Sequence, residues 1–476
     1  MRAALDNLPE RRFTPEDQQA FAALSGDTNP MHMDAKAARR MQAGRPVVHG
    51  IHAVLWALDA AGDLLDGVGA LTVRFDRMIH VGDLCRLRPD AGRAQLTILV
   101  DDVAVTRIDL SPRTDPSSQP AEPDAHSFPL EARADAMAAA FPKASAALGP
   151  GFLVDLAGLS KLVGMVCPGL HSIFRGFSAT RGADAVGSAM RYAVLRDDER
   201  FNLVTMRVTG AALSGTVEAF RRAPPTEQPG VDALRGLVEP HAFAGRRTLV
   251  VGGSRGLGAL TAKLLALGGA EVTLTYAVGD GEANAVAQEI RAAGGTCAVL
   301  KLDVRQPIAG QIPAGAAFDQ LYYFATPFIF GKRGRGLDPA LLGEMMAFYV
   351  HAFYELCAGL RAAGPQPIAV FYPSSVAVAE RPAGLTEYAM AKAAGEVLCA
   401  DLPRLLKGVR AHIRRLPRLQ TDQTASVQPV ETGSAIERDA GGDLERSGRG
   451  RPRGDMRLAC IRPSVRAARR LRPRQR

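Results

Sequence analysis

Cysteine is scarce in this chain, and what there is lies dispersed. Cys85, Cys167, Cys297, Cys357, Cys399 and Cys460 form no Cys-x-x-Cys pair, which argues against a zinc site or a disulfide framework and fits a reducing compartment. The cytoplasm is therefore the expected address, and no metal is expected. The N-terminal stretch "MRAALDNLPERRFTPED" has no apolar signal core, and the alanine-rich runs are broken by charge, Gly or Pro well short of a membrane span. No membrane association is expected.

What is present is a globular composition: 476 residues, 47% hydrophobic and 22% charged, long enough for roughly two to four domains. The net charge of +9 would suggest nucleic acid, but most of the excess lies beyond about residue 433, in "GSAIERDAGGDLERSGRGRPRGDMRLACIRPSVRAARRLRPRQR". That Arg-dominated segment, 433–476, reads as a disordered or non-native end, with a basic arm for nucleic acid as the alternative. No nucleic-acid role is expected of the rest.

Two Pro-rich polar stretches, "SPRTDPSSQPAEPDAHS" (111–127) and "RRAPPTEQPG" (221–230), read as spacers. They cut the chain into three parts. In the first, "VVHGIHAVLWALDAAG" reads as a buried helix, followed by strand-like "LTVRFDRMIHVGDLCRLRP" and "RAQLTILVDDVAVTRIDL". The second repeats that order, with the apolar helix "LVDLAGLSKLVGMVCPGL" before three strand-like runs. The third opens on "RRTLVVGGSRGLGALTAKLLALGGAEVTLTY", a βαβ unit.

The segment "SGDTNPMHMD", 25–34, gathers Ser25, Asp27, Asn29, His32 and Asp34 around Asn29-Pro30. Pro30 bars a regular helix through Asn29, so the turn can aim Asp27 and His32 at one point. A carboxylate and an imidazole that share a water can add it to a polarised double bond, or run the reverse dehydration. "FTPEDQQAFAALSGDTNPMHMD", "VVHGIHAVLWAL" and "RFDRMIHVGD" follow one another within about the first 110 residues, and together they resemble the MaoC-like, R-specific enoyl-thioester hydratases of the hotdog fold. The resemblance implies that Asp27 and His32 are the catalytic pair, that Asn29 shapes the turn, and that "VHG" at 48–50 opens the helix bordering the thioester. The second part has no Asp-x4-His signature. It reads as a second, non-catalytic hotdog, although "CPGLHSIFRGFS" brings His171 and Ser172 to the end of its helix, where His171 could border an acyl pocket.

In the third part "VVGGSRGLG", 250–258, is a glycine-rich turn between a strand and a helix, where Gly252, Gly256 and Gly258 permit close backbone approach and the helix N-terminus favours a pyrophosphate. Tyr388 and Lys392 lie four apart on a predicted helix, with Ser375 thirteen residues before the Tyr. A Lys ammonium beside a phenol favours phenolate, so Tyr388 could exchange a proton with a carbonyl oxygen. From about Arg246 to Thr424 this arrangement resembles the short-chain dehydrogenase/reductases. The likeness implies that Ser375 orients the carbonyl, Tyr388 donates the proton, and Lys392 binds the ribose and lowers the Tyr pKa. Asp303 would meet the adenine, and Thr421 would sit near the nicotinamide. The second strand ends in "TLTYAVGD" with no acid at its tip, while Arg255 beside Ser254 can pair a 2′-phosphate, so NADP(H) is the expected cofactor. The chain departs from the family at "YFAT" (323–326), where Asn-Asn-Ala-Gly is usual, at Phe348 or Tyr349, where an Asn is expected, and at Pro417-Arg418, where Pro-Gly is usual.

The expected architecture is an α+β hotdog, doubled, followed by an α/β Rossmann-like doubly wound parallel sheet. Its bounds are 1–112 for the hydratase hotdog, 127–222 for the second hotdog, 244–432 for the reductase and 433–476 for the tail. The function that unites both ends is a bifunctional acyl-thioester enzyme acting on acyl-CoA or acyl-carrier-protein thioesters, as a homo-oligomer. A (3R)-hydroxyacyl dehydratase/trans-2-enoyl hydratase and an NADPH-dependent 3-oxoacyl reductase share one intermediate. The rivals are an acyl-carrier docking or scaffold protein, and a hydratase joined to a reductase for a different carbonyl.

Overall fold

A computed structural model describes residues 9–422 apart from 42, 113–124, 314, 333, 335, 365 and 420. The Arg-rich tail and most of the first spacer lie outside the described residues. The chain parts into two compact units between Pro225 and Thr226, inside the second Pro-rich stretch.

The first unit is built on strands β1 (Glu10–Arg12), β2 (Val68–Phe75), β3 (Leu84–Asp90), β4 (Gln95–Val100), β5 (Val103–Pro112), β6 (His126–Pro129), β7 (Ser172–Arg181), β8 (Ala189–Asp198), β9 (Leu203–Thr209) and β10 (Leu213–Arg221). Among the described residues they form one antiparallel sheet in the order β1-β3-β4-β5-β2-β7-β10-β9-β8-β6. Alternation places one face inward: in β9, Val204, Met206 and Val208 are buried and their neighbours are not. Asp101 and Asp102 turn β4 into β5 with φ of 51° and 59°, the left-handed pair that a two-residue hairpin loop needs and that Asp tolerates.

Each half wraps one apolar helix. Gly50–Ala61 is buried from Ile51 to Leu58, and Pro150–Lys161 is buried from Gly151 to Ser160. Both helices pack into a single core with the sheet. The halves meet along β2 and β7, Thr72 opposite Ser178. There a side chain at Gly176 would come within 2.4 Å of the Val73 carbonyl oxygen, so only glycine permits this close joint. The doubled hotdog is the architecture expected from the sequence.

In the second unit β11 (Arg247–Val251), β12 (Glu271–Tyr276), β13 (Thr296–Lys301), β14 (Gln320–Tyr323), β15 (Ile368–Ser375) and β16 (Val409–Leu416) run parallel in the order β13-β12-β11-β14-β15-β16. This is the expected doubly wound sheet. Its order reverses between β11 and β14, and the ends of strands flanking such a switch point are where open α/β sheets bind ligands. Among the described residues no single helix is long and apolar enough to cross a membrane.

Candidate functional site

The helix Pro15–Ser25 starts on a capping box at Thr14 and Asp17 and stops at Gly26, whose φ of 76° turns the chain. Asn29 then caps the short helix Pro30–Met33 by accepting from Met31 N, while its Nδ2 donates to the Gly164 and Leu170 carbonyls at 3.1 and 3.3 Å. Between these anchors Asp27 and His32 face each other. His32 Nε2 and Asp27 Oδ2 are 4.0 Å apart, beyond a direct hydrogen bond and open to a shared water.

Each member of the pair is held from behind. Asp27 Oδ2 accepts from Ser160 Oγ at 2.7 Å and Oδ1 accepts from Asn29 N at 3.2 Å. His32 Nδ1 lies 2.8 Å from the Val47 carbonyl. A carbonyl only accepts, so Nδ1 carries the hydrogen and Nε2 presents its lone pair to Asp27. Burial lowers the His32 pKa, more than Asp27 raises it, which keeps the ring neutral and basic near pH 7.

His49 stacks on His32 with ring centroids 3.9 Å apart. Its nitrogens reach Gln18 Oε1 at 2.9 Å and the Asp27 carbonyl at 3.0 Å, and burial, then His32, pushes its pKa well down. Asp27, His32 and His49 offer metal-ligand atoms within 4.8 Å of one another, but the His49 nitrogens and Asp27 oxygens already have protein partners. Ser160, Gly164 and His49 carried no role in the sequence reading. The signal for Ser160 is the repeated order of the two halves, which sets its helix opposite Gly50–Ala61. His171 is exposed, and Ser172 donates to the Val163 carbonyl at 2.8 Å.

In the second unit Gly252 and Gly256 adopt φ of 77° and 56°. A side chain at Gly258 would stand 2.2 Å from the Gly252 oxygen, so the turn from β11 into helix Gly256–Leu267 leaves a backbone cradle. Ser254 is buried beside it. Arg255 pairs with Asp422 at 3.6 Å, next to Thr421. Asp303 is engaged by Arg305 at 2.7 Å.

Ser375 ends β15, and Tyr388 and Lys392 lie one turn apart on helix Thr386–Leu405. The expected lowering of the phenol pKa is not met: burial raises Tyr388, and the Ser375 hydrogen bond offsets this only in part. The reason is where the ammonium sits. Lys392 Nζ donates to the Pro373 carbonyl at 2.7 Å and lies 3.8 Å from the Tyr349 ring centroid, 5.0 Å from Tyr372 and 5.9 Å from Tyr388. Burial pushes Lys392 down to about 7. Tyr349 also hydrogen-bonds Thr326, and Tyr323 donates to the Phe348 carbonyl at 2.7 Å. Two pairs of the residues that depart from the reductase pattern therefore bond to one another, and one member, Tyr349, lies against the lysine.

Comparison with known proteins follows the same division. The family model described as MaoC like domain matches residues 2–97. The (R)-specific enoyl-CoA hydratase of Aeromonas caviae is 34% identical over 98 residues, which cover 18% of this chain and 73% of that protein. The chain belongs to the MaoC-like family. A further relative of this MaoC-like chain, the 3-hydroxybutyryl-CoA dehydratase of Methylorubrum extorquens, is 23% identical over 135 residues, covering 24% of this chain and 86% of that protein. The model described as short chain dehydrogenase matches residues 246–316, so a MaoC-like hydratase part is joined to a short-chain dehydrogenase part. The crystal structure of a short chain dehydrogenase from Burkholderia cenocepacia J2315 in complex with NADP is 27% identical, covers 38% of this chain and 77% of its own, and has a TM-score of 0.34.

Proposed function

We propose that the first unit adds water reversibly to a trans-2-enoyl thioester, giving the (3R)-hydroxyacyl thioester, with Asp27 and His32 as its acid/base pair. The observation that carries this reading is the gap of 4.0 Å between His32 Nε2 and Asp27 Oδ2, with Ser160 donating to that oxygen and the other ring nitrogen of His32 engaged by the Val47 carbonyl. A water in that gap donates one hydrogen to Asp27 and the other to His32 Nε2. As its oxygen bonds to C3, one proton passes to the pair and is delivered to C2, so that one water is added across the double bond. The names of the hydratase and dehydratase relatives support the thioester class, carried on CoA or on a carrier protein. Hydration of crotonyl-CoA, read as loss of enoyl absorbance, tests the reading, and its absence refutes it.

The second unit is read as an NADP(H)-dependent reductase whose product is the hydratase substrate. The turn through Gly252, Ser254, Gly256 and Gly258 fits a dinucleotide phosphate, because its glycines leave the backbone bare ahead of the N-terminus of helix Gly256–Leu267. Arg255 fits a 2′-phosphate, with Asp303 and Thr421 nearby in the family pattern. When bound, the dinucleotide supplies the hydride. Tyr388 gives its proton to the carbonyl oxygen, Ser375 orients that oxygen, and Lys392 holds the ribose by hydrogen bonding. Oxidation of NADPH with acetoacetyl-CoA tests this role.

A second reading retains the hydratase and gives the second unit a different carbonyl. Tyr349, hydrogen-bonded to Thr326, favours it, since its ring lies against the lysine where the family pattern has Asn. Crotonyl-CoA hydration without acetoacetyl-CoA reduction selects it.

A further inference from the structure

Arg222 belongs to a stretch whose composition is that of a spacer, yet it is only 8% exposed. It follows β10 directly. Its Nη2 donates to the Leu170 carbonyl at 2.7 Å and lies 3.1 Å from Met41 Sδ. The same Leu170 carbonyl accepts from Asn29 Nδ2, the side chain that caps the catalytic turn. Met41 packs with Met31 and Val47, which adjoin and hold His32. The guanidinium therefore stands at the margin of the acid/base pair, near enough for its charge to disfavour an imidazolium at His32.

Sealed Nε atoms occur also at Arg39, Arg181 and Arg418, but among the described residues only Arg222 is a buried arginine. Its Nε is sealed from solvent without an acceptor, and among the described residues no carboxylate pairs with it, its environment acting on it through burial alone. Asp27, the acid of the site, has its oxygens taken by Ser160 and Asn29. A guanidinium withdrawn from water without a counter-ion is costly. Its planar fork matches a carboxylate.

We propose that the counter-ion comes with the substrate: Arg222 receives a carboxylate on the acyl chain, and the hydratase acts on the 2-enoyl thioester of a dicarboxylic acid. This rests on the hydratase reading above. The acyl end is favoured over the carrier because the cation shares a carbonyl with the catalytic turn, whereas the phosphates of a carrier are separated from the reacting carbons by the whole pantetheine arm.

The full chain is assayed with glutaconyl-CoA and crotonyl-CoA. The ratio of kcat/KM favours the dicarboxylic thioester by on the order of tenfold or more, Arg222→Met brings the ratio to about one, and Arg222→Lys falls between. Parity in the parent chain overturns the proposal. So does a loss in Arg222→Met that is seen with crotonyl-CoA and disappears with the phosphate-free N-acetylcysteamine thioester, which assigns the cation to carrier phosphates. Should Arg222→Met not fold, the parent chain answers alone: the unreactive glutaryl-CoA binds more tightly than butyryl-CoA, and equal affinities overturn the assignment. The binding measurement also separates the two readings. If no enoyl thioester is hydrated, the hydratase reading falls, while a preference for glutaryl-CoA still supports Arg222 as a carboxylate anchor.

Discussion

Both candidate sites are completed by a π turn, and the two turns treat charge in opposite ways. In the first unit Leu162–Val166 brings Gly164 so near to Asp27 that a Cβ would lie 2.4 Å from Oδ1. The residue there has no side chain, and donors from Asn29 and Ser160 surround the anion. In the second unit Ala347–His351 lays the ring of Tyr349 over Lys392, so a bulky side chain covers the cation and one carbonyl accepts from it. An extra residue in a helical turn shifts what the following surface presents. A buried carboxylate is held by N–H and O–H groups that must come close, whereas aromatic faces and one carbonyl do not offset the burial of the lysine, whose pKa falls to about 7.

The strongest way to break this comparison is to remove the anion. Asp27→Asn is expected to lower enoyl-thioester hydration on the order of 100-fold or more, while titration of the same variant with NADPH gives the parent affinity. Hydration at the parent rate would mean that the donors around Asp27 serve only the fold.

The enclosed cation makes a prediction about pH. Lys392 is held at about 7 against a usual value of 10.5. Between those values the unfolded chain binds the proton and the folded chain does not, so the stability of the second unit rises with pH across that window. Below about pH 7 the cost of charging the buried lysine is fully present. The slope reaches at most about 1.4 kcal/mol per pH unit, and Lys392→Met is expected to abolish it. Urea denaturation followed by tyrosine absorbance from pH 6 to 9 measures this, and a flat profile in the parent chain would contradict a lysine whose charged form is disfavoured by burial.

Ser160→Ala removes one donor from Asp27 and is expected to slow hydration roughly tenfold. A parent rate would show that the Asn29 N–H alone suffices. The smallest effect concerns Arg255, which is shared with Asp422. Asp422→Asn should tighten NADPH a few-fold, the scale of a partly exposed ion pair, and leave NADH as it was. Equal tightening of both nucleotides would show that Asp422 does not act through the 2′-phosphate.

The parts legible in the sequence are those in which the chemistry is local. Asp27, Asn29 and His32 lie on one turn, and Tyr388 and Lys392 on one helical face, so spacing alone brings them together. The doubled sheet could be read because the helix-then-strands order recurs. Ser160 was legible only as far as its helix, which the repeated order places; a serine inside an apolar helix does not mark itself, and its partner is 133 residues away. Arg222 was hidden for the opposite reason, since it sits in a Pro-rich polar stretch where composition argues for solvent. At Lys392 the expected electrostatics were not met, because the burial that raises Tyr388 depends on packing by Tyr349, which no local pattern encodes.

The joint of β2 with β7 has a consequence for assembly. Asp27 and the serine that donates to it, like Asn29 and the carbonyls that accept from it, come from opposite sides of that joint yet belong to one polypeptide. Their meeting is governed by an effective concentration rather than by how much protein is present. A site completed by two separate chains would lose its supporting serine on dilution, whereas this one retains it down to the single molecule.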